Sequence, residues 1–219
     1  MPLTSSAVSS NSYRAHRERQ RRRIIAAAQE LFDAQGIDRV TVSEIVAAAG
    51  IRASTLYEYF SSKDEIVWTL VEEFMVQSSE SIKKSLGGVD GSALAKITVL
   101  FRAFEDELTF NPERVRFMAQ FDAMYSRDWS VERLLALEEK VMPEGFGVLA
   151  ALISEGVADG SLRSDLDPDL TMYSVLNAVI GAQRRLASLG DRVEKEYGQP
   201  IGLLFRESVR IILLGLRPS

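Results

Sequence analysis

Side chains that could bond DNA are concentrated in a short stretch of the chain between Thr41 and Lys63. Hydroxyls, phenols, a guanidinium and an ammonium occur there, and these groups bond phosphates and base edges. They belong to Thr41, Arg52, Ser54, Thr55, Tyr57, Tyr59 and Lys63. The chemistry that this pattern predicts is reversible, sequence-specific recognition of a nucleic acid.

Two short helices are needed to position these side chains, one on each side of Gly50. Thr41 and Glu44 have the spacing of a capping box, which opens the first helix. Residues 47–49 are alanines that permit close approach of the two helices, and Gly50 supplies the turn between them. Leu56 can bury the inner side of the second helix. The stretch therefore predicts a helix-turn-helix that docks on DNA.

Six arginines lie between Arg14 and Arg23, just before this motif. Residues 1–63 contain nine Lys/Arg and six Asp/Glu, a net charge of +3, so the remaining residues carry −8 of the total of −5. This asymmetry suits a protein that meets phosphates with one end only. Two interpretations of the arginine run stay open: a solvated helix start, or contacts to phosphates or the minor groove.

Apolar residues recur with helical periodicity along the chain, and no alternating strand pattern stands out. We predict an all-α protein of about nine helices. Residues 1–13 are rich in serine and are predicted to be a disordered tail. The predicted helices span residues 17–35, 41–50, 53–59, 62–85, 92–109, 112–127, 131–160 with a kink at Pro143, 168–190 and 200–216.

The stretch from about Arg23 to Leu70 resembles the TetR family of bacterial transcriptional regulators. The matching residues are Ile-Ala-Ala-Ala at 25–28, Leu31-Phe32, Gly36, Thr41-Val42, Ile-Val-Ala-Ala-Ala-Gly at 45–50, Thr-Leu-Tyr-Glu-Tyr-Phe at 55–60 and Ser62-Lys63. The C-terminal two thirds resemble the family only in the number and length of their helices. The resemblance implies an all-α homodimer, usually a repressor that a small molecule releases from DNA.

The resemblance also implies two domains and a division of roles within the motif. The DNA-binding domain is expected over 14–62 and the effector-binding and dimerisation domain over 63–219, with a helix over 63–85 linking the two. Thr41 would cap its helix and touch a phosphate. Arg52 and Thr55 would face the groove, and Tyr57, Tyr59 and Lys63 would hold the DNA backbone.

Two features of this motif leave alternatives open. Many relatives have a serine where this chain has Arg52, so a good N-cap is absent and a cation lies at the positive end of a helix. A phosphate or a guanine at that position would explain the exchange. Tyr57 and Tyr59, taken in isolation, are better explained as aromatics packed on the surface, whereas their place in this motif favours contact with phosphates.

Large apolar side chains are dense in the middle of the C-terminal part, where they form either an ordinary core or the wall of an apolar cavity. Such walls suit a flat or apolar ligand. Polar residues that could orient it include Gln183. The predicted ligand-binding residues are Phe104, Phe117, Gln120, Phe121, Met124, Tyr125, Phe146, Tyr173 and Asn177.

The last predicted helix has more apolar residues than one buried face requires. They are Leu203, Leu204, Phe205, Val209, Ile211, Ile212, Leu213, Leu214 and Leu216. The helix before it contains Gly181, which allows close backbone approach. The alternatives are a central buried helix and a homodimer through the last two helices, and the family resemblance favours the dimer. Two-fold symmetry then predicts a palindromic operator, with recognition helices roughly 34–36 Å apart.

Enzymatic function is disfavoured because no nucleophile, base and orienting group occur at a recognisable spacing. The chain has no cysteine and one histidine, and its acidic clusters lack companion ligands, so we predict no metal and no cofactor. The expected partners are double-stranded operator DNA, a small-molecule effector and a second copy of the chain. No membrane partner is expected, and the cytoplasm is the expected location. A DNA-binding protein without an effector, and an activator, remain alternatives.

Overall fold

The computed structural model describes residues 5–141 and 147–218, with side chains from residue 13 onward. Within these ranges the chain forms eleven α-helices and no strand. They are α1 Ser5–Gln35, α2 Val42–Ala49, α3 Ala53–Tyr57, α4 Lys63–Leu86, α5 Ala93–Phe110, α6 Pro112–Asp128, α7 Val131–Val141, α8 Gly147–Asp159, α9 Pro168–Leu189, α10 Asp191–Tyr197 and α11 Ile201–Leu216. The chain divides into two compact units between Val71 and Glu72, inside α4. We refer to residues 5–71 as the head and to residues 72–218 as the body.

The all-α prediction is confirmed, but the number of helices differs from the nine predicted. One helix is predicted over 131–160, whereas the structure has α7 and α8 there, and the predicted kink at Pro143 lies outside the described residues. The second extra helix is α10. It has seven residues, one of them buried, and it lies between Gly190 and Gly198, which are loop signals in a sequence.

The first helix begins earlier than its periodicity predicts. It starts at Ser5 instead of Arg17, so it includes much of the segment predicted as a disordered tail, while residues 1–4 lie outside the described range. No apolar stripe is present in this serine-rich and arginine-rich half, so periodicity gave no helical signal there. The helix ends as predicted, with Gly36 at φ 90° and its N–H donating to the Phe32 carbonyl at 2.8 Å.

The head is built around one small apolar core. Its fully buried side chains come from α1, α2, α3 and α4 and from the loops after α1 and α3, and they include Ile24, Ala28, Phe32, Ile37, Ile45, Leu56, Phe60, Ile66 and Leu70. Burying one such large side chain contributes about 1.5–3 kcal/mol. This core fixes α2 and α3 on α1 and leaves their outer surfaces to solvent.

The body is organised around α9, which packs against α5, α6, α8, α10 and α11. Gly156 on α8 leaves room for the loop that follows this helix and for the start of α5, because a Cβ there would lie 2.5 Å from Leu162 Cγ and 3.2 Å from Ala93 Cβ. Asp159 completes this contact by accepting the Ala93 N–H at 3.0 Å, which caps the start of α5. Hydrogen bonds from Ser161 and then from Ala93 hold the pKa of Asp159 below its ordinary value.

Candidate DNA interface and effector-binding region

The start of α2 is fixed by a reciprocal capping box, as the sequence predicts. The Glu44 N–H donates to Thr41 Oγ1 at 3.3 Å, and the Thr41 N–H donates to Glu44 Oε2 at 2.8 Å. The Thr41 hydroxyl also donates to the same carboxylate at 2.7 Å. These bonds, with the hydroxyl first, lower the pKa of Glu44. Thr41 is exposed, but its one O–H donor is already used within the cap.

The turn between α2 and α3 requires a glycine. Gly50 has φ 60° and ψ 42°, the left-handed conformation, and its N–H donates to the Ala47 carbonyl at 3.1 Å. A Cβ on Gly50 would also lie 2.7 Å from Arg23 Nη2. The turn therefore allows α3 to leave α2 abruptly, while Leu56, which is fully buried, fixes α3 in the head.

The outer surface of α3 is polar. Arg52 is the N-cap residue, with an extended backbone, no side-chain cap bond and an exposed side chain. Ser54 is exposed and Thr55 is half-buried, while Tyr57 is 57% exposed. Ser54 and Tyr57 are three residues apart and share a helix face. A guanidinium, a hydroxyl and a phenol are thus brought to one open side, opposite Leu56.

Tyr59 lies in a different environment from Tyr57. Its ring is half-buried, and the guanidinium carbon of Arg17 lies 5.4 Å from the ring centroid. This geometry is a cation–π contact. The interpretation of Tyr59 as a packed aromatic therefore has structural support for the ring, whereas the exposed phenol of Tyr57 remains available for a partner.

Lys63 has a structural role that its sequence position does not reveal. Its ammonium donates to the Ile37 carbonyl at 2.8 Å and to the Val40 carbonyl at 2.9 Å. Two of its three N–H donors thus hold the loop between α1 and α2 against the start of α4. One donor is left for the phosphate contact that the sequence predicts. No local pattern signals this role, because the carbonyls lie 26 and 23 residues earlier.

The predicted effector residues fall into three groups. Phe117, Phe121 and Met124 on α6 are buried, and Phe104, Gln120 and Tyr125 are half-buried. Tyr173 and Asn177 lie on the exposed side of α9, and Phe146 lies outside the described residues. The first two groups include side chains that could wall a cavity. Tyr173 and Asn177 do not lie with the other predicted pocket residues. The buried side of α9 is formed by Met172, Val175 and Leu176 and by residues further along the helix, whereas Tyr173 and Asn177 are exposed.

An aromatic cluster forms along α6. The Phe117 ring meets the Phe74 ring edge-on at 5.3 Å between centroids. Phe121 stacks on Tyr125 at 6.0 Å and on Trp129 at 5.4 Å. Phe74 and Trp129 are members of this cluster that the predicted ligand-binding set omits.

Polar groups near this cluster are occupied by partners within the body. Gln183 is 5% exposed, and its Nε2 donates to the Phe104 carbonyl at 2.7 Å, which ties α9 to α5. Arg114 pairs with Glu107, donates to Gln77 Oε1 at 2.5 Å, and lies 5.5 Å from the Phe74 ring centroid.

A cavity of about 190 Å³ opens beside Arg114, between α4, α5 and α6. Three serines, two amides and three charged side chains line it together with Ala103 and Phe110, and none of the predicted ligand-binding residues does so. The sequence analysis does not predict this polar site. Glu107 and Arg114 lie on different helices, because α5 ends at Phe110 and α6 begins at Pro112, so helical periodicity does not relate the two residues.

The described residues contain neither a membrane-spanning helix nor a metal-binding group. None of the described helices is long and apolar enough to cross a membrane. Among the residues with described side chains, no group of His, Cys, Asp or Glu has an arrangement that could hold a metal ion.

Comparisons with known proteins agree with this geometry. Residues 24–68 match the family described as bacterial regulatory proteins, tetR family. The HTH-type transcriptional repressor KstR2 of Mycolicibacterium smegmatis is 27% identical over 165 residues, covering 69% of this chain and 71% of that protein.

Two solved structures share the fold of the chain. The ketosteroid transcriptional regulator KstR2 of Mycobacterium tuberculosis superimposes with a TM-score of 0.66 at 21% identity, covering 91% of this chain and 95% of that one. The regulator FadR from Bacillus subtilis, in complex with stearoyl-CoA, superimposes with a TM-score of 0.64 at 20% identity, covering 89% and 98%.

Proposed function

Because this chain belongs to the TetR family of bacterial regulatory proteins, we propose that it is a repressor released from a palindromic operator by a small, largely apolar ligand. It is a helix-turn-helix transcriptional regulator and not an enzyme. The observation that supports operator binding most strongly is the open polar side of α3 behind the turn at Gly50. Its place of action is the cytoplasm, where bacterial operator DNA lies.

The DNA-facing roles follow from exposure and chemistry. Arg52, Ser54 and Thr55 read base edges, because α3 places a guanidinium and hydroxyls on or beside its exposed side. Tyr57 donates its phenol to a phosphate, which positions the head without conferring sequence preference. Thr41 contributes by fixing the start of α2, and Lys63 contributes by fixing the preceding loop, so both act on DNA binding through the shape of the head.

A homodimer through α9 and α11 is supported by apolar side chains that the single chain leaves open. Leu203, Ile211 and Leu214 on α11 are 48%, 58% and 47% exposed. On α9, a Cβ added to Gly181 would meet nothing within 4 Å. An open apolar face beside a small residue suits a two-fold four-helix contact. The exposed Tyr173 then belongs to this face rather than to the effector cavity.

The effector that we propose is an acyl-CoA or a steroid-like molecule. One relative of the same fold is described in complex with stearoyl-CoA, and another is described as a ketosteroid regulator. In this chain, the half-buried Phe104 and Tyr125 offer apolar surface to such a ligand, beside the buried Phe117, Phe121 and Met124. Arg114 lies at the edge of the same region, where its guanidinium is paired with Glu107.

Release from DNA follows if the bound ligand shifts the position of α4. This helix runs without interruption from Lys63 to Leu86 and includes residues of both units, which makes it the element that we propose transmits the effect of the ligand. A change in the separation of the two recognition helices prevents simultaneous docking on successive major grooves. To abolish repression, the ligand must prefer the non-docking state by several kcal/mol.

The test begins with selection of bound sequences from random duplex DNA at stated salt. Enrichment of two inverted half-sites is expected. Bulk, salt-sensitive binding without enrichment would contradict the proposal. The enriched duplex, labelled, then serves to measure release by stearoyl-CoA, by a 3-ketosteroid and by free CoA. Release by an apolar ligand at concentrations where free CoA has no effect is expected.

A second candidate is a DNA-binding regulator without an effector. It is favoured by the burial of Phe117, Phe121 and Met124, which already pack as a core. The same release assay separates the two, because an effector-free regulator stays on its operator whatever ligand is added. Thermal unfolding of the unliganded protein with each ligand provides a second readout, since a bound ligand raises the midpoint.

A further inference from the structure

The N-terminal half of α1 presents three arginines on one side. Arg14, Arg17 and Arg21 are separated by three and four residues, which places them on one helix face. Among the residues with described side chains, none of the three forms an ion pair. Arg22, on another face, is paired with Glu18 at 2.8 Å.

Two of these arginines are held in place by aromatic rings rather than by carboxylates. The Arg17 guanidinium lies 5.4 Å from the centroid of the Tyr59 ring, and that of Arg21 lies 5.2 Å from the centroid of the Phe60 ring. Arg21 also donates to Thr69 Oγ1 at 3.4 Å. Stacking orients a guanidinium without neutralising its charge and leaves most of its five donors unused. Glu18 compensates Arg21 only in part, because its hydrogen bond is to Arg22.

The arginines surround an open pocket in the head. It has a volume of about 590 Å³ and is lined by Tyr13, Arg14, Arg17, Glu18, Arg21 and Tyr59. Three cations thus face one carboxylate, and that carboxylate is paired with Arg22, whose hydrogen bond lowers the pKa of Glu18. The pocket is therefore cationic, and its chemistry suits an anion with several acceptor oxygens, which is a phosphate group.

The position of the pocket indicates which phosphates would enter it. Tyr59 lines it and follows the last residue of α3, Tyr57, by two positions. The pocket thus borders the end of the helix that carries the DNA-facing side chains. A duplex docked on α3 would bring its own backbone phosphates to this border, whereas a free phosphorylated ligand would not need this proximity.

We propose that Arg14, Arg17 and Arg21, with Tyr13 and Tyr59, form a second DNA-binding surface that holds backbone phosphates of the operator. It extends the contact of the head beyond the helix-turn-helix and contributes affinity without sequence preference. This inference rests on the proposed function, because the phosphates belong to the duplex that α3 reads.

The experiment uses the full chain and the duplex enriched by selection. Binding constants are measured across a series of salt concentrations for the wild type and for Arg14→Ala combined with Arg17→Ala. The variant is expected to lose on the order of tenfold in affinity, and the slope of log K against log salt is expected to fall by about two. The loss should be the same for the enriched and for a scrambled duplex.

Two further variants make the result specific. Arg102→Ala combined with Arg192→Ala removes the same charge from exposed positions of the body, and it should leave both the slope and the affinity unchanged. Arg14→Lys combined with Arg17→Lys keeps the charge and should keep most of the slope. Thermal unfolding of each variant identifies any loss that is due to a damaged head.

Each outcome decides a separate question. Wild-type and double-alanine proteins with equal slopes would overturn the second surface while leaving operator recognition intact. A loss confined to the enriched duplex would overturn the role as well, since it would mean that the arginines read bases. If the wild type enriches no sequence at all, the proposed function fails first, and the selection step reports this independently.

Discussion

The head and the body differ in how directly the sequence reports their chemistry. In the head, DNA contact requires polar side chains on the outer side of α3, where apolar core and polar surface have different compositions. In the body, a cavity for an apolar ligand is walled by phenylalanine and methionine, and so is a core. Functional residues can therefore be predicted from the sequence where their chemistry differs from that of the core, as in the head. They cannot be distinguished where the site and the core use the same apolar side chains, as in the body.

The largest expected effect tests whether the body cluster is core. Phe121→Ala removes a ring that is 2% exposed and stacks on Tyr125 and Trp129. We expect a loss of about 3–5 kcal/mol in the free energy of unfolding, measured by denaturant titration. Phe110→Ala is the matched control, because Phe110 is 74% exposed and its loss should change stability by less than about 0.5 kcal/mol.

A small loss in the free energy of unfolding of Phe121→Ala would instead indicate that Phe121 lines a cavity. A ring that lines an open pocket has fewer packing partners, so its removal would cost little stability and would instead change ligand-dependent release. Equal effects of the two phenylalanine variants on stability would contradict the assignment of Phe121 to the core.

The next effect tests whether the outer side of α3 carries sequence preference. Arg52→Ala and Thr55→Ala, made singly, should each alter the selected sequence and cost about 1–3 kcal/mol on the wild-type site. Tyr57→Phe is the comparison variant, and it should weaken binding to all duplexes similarly. Repeating the selection with each protein measures this. Unchanged preferences would mean that the DNA-facing side is misassigned.

Lys63 has different roles in the sequence analysis and in the structure. The sequence predicts a contact to a phosphate, whereas the structure shows hydrogen bonds to two backbone carbonyls. Lys63→Met removes two hydrogen bonds from an ammonium to the Ile37 and Val40 carbonyls. We expect a loss of about 1.5–3 kcal/mol in the stability of the head. DNA affinity should fall with it, while the salt slope stays unchanged.

Lys83→Met is the control for Lys63, since Lys83 is an exposed lysine on the same helix. Stability equal to that of the control, together with a salt slope lower by about one, would instead identify Lys63 as a phosphate contact.

The smallest effect concerns the cap of α2. Thr41→Ala should cost about 1 kcal/mol, because the Glu44 N–H loses its acceptor, whereas Ser43→Ala in the same helix should not. The pKa of Glu44 is lowered in the folded protein, so its contribution is present above the ordinary pKa. It is lost as the pH falls through the folded pKa. The part of the wild-type advantage over Thr41→Ala that comes from the Glu44 carboxylate should disappear at the acid end of a stability profile, while the part from the Glu44 N–H bond remains. An advantage that does not change with pH would contradict the contribution of the carboxylate.

The elements with local signals could be predicted from the sequence. The capping box at Thr41, the left-handed turn at Gly50 and the burial of Leu56 each depend on residues within a few positions, and each is found. Helix bounds with glycine or proline boundaries also agree closely, as for Pro112 at the start of α6.

Features that depend on distant residues could not be predicted. Lys63 finds its carbonyl partners more than twenty residues away, and Gln183 finds the Phe104 carbonyl 79 residues away. Tyr173 was a candidate for a pocket because tyrosine suits both surfaces and cavities, and the exact phase of α9 decides between them. Helix α10 has a single buried residue, which leaves no periodicity to detect.

The measurement that tests the central claim most directly is operator binding as a function of half-site spacing. We expect an even number of protomers to bind the selected palindrome. We also expect that inserting about five base pairs, half a helical turn, between the half-sites lowers affinity sharply, because two linked heads then face opposite sides of the duplex. Affinity independent of spacing, with single protomers occupying each half-site, would contradict a dimeric operator-binding regulator.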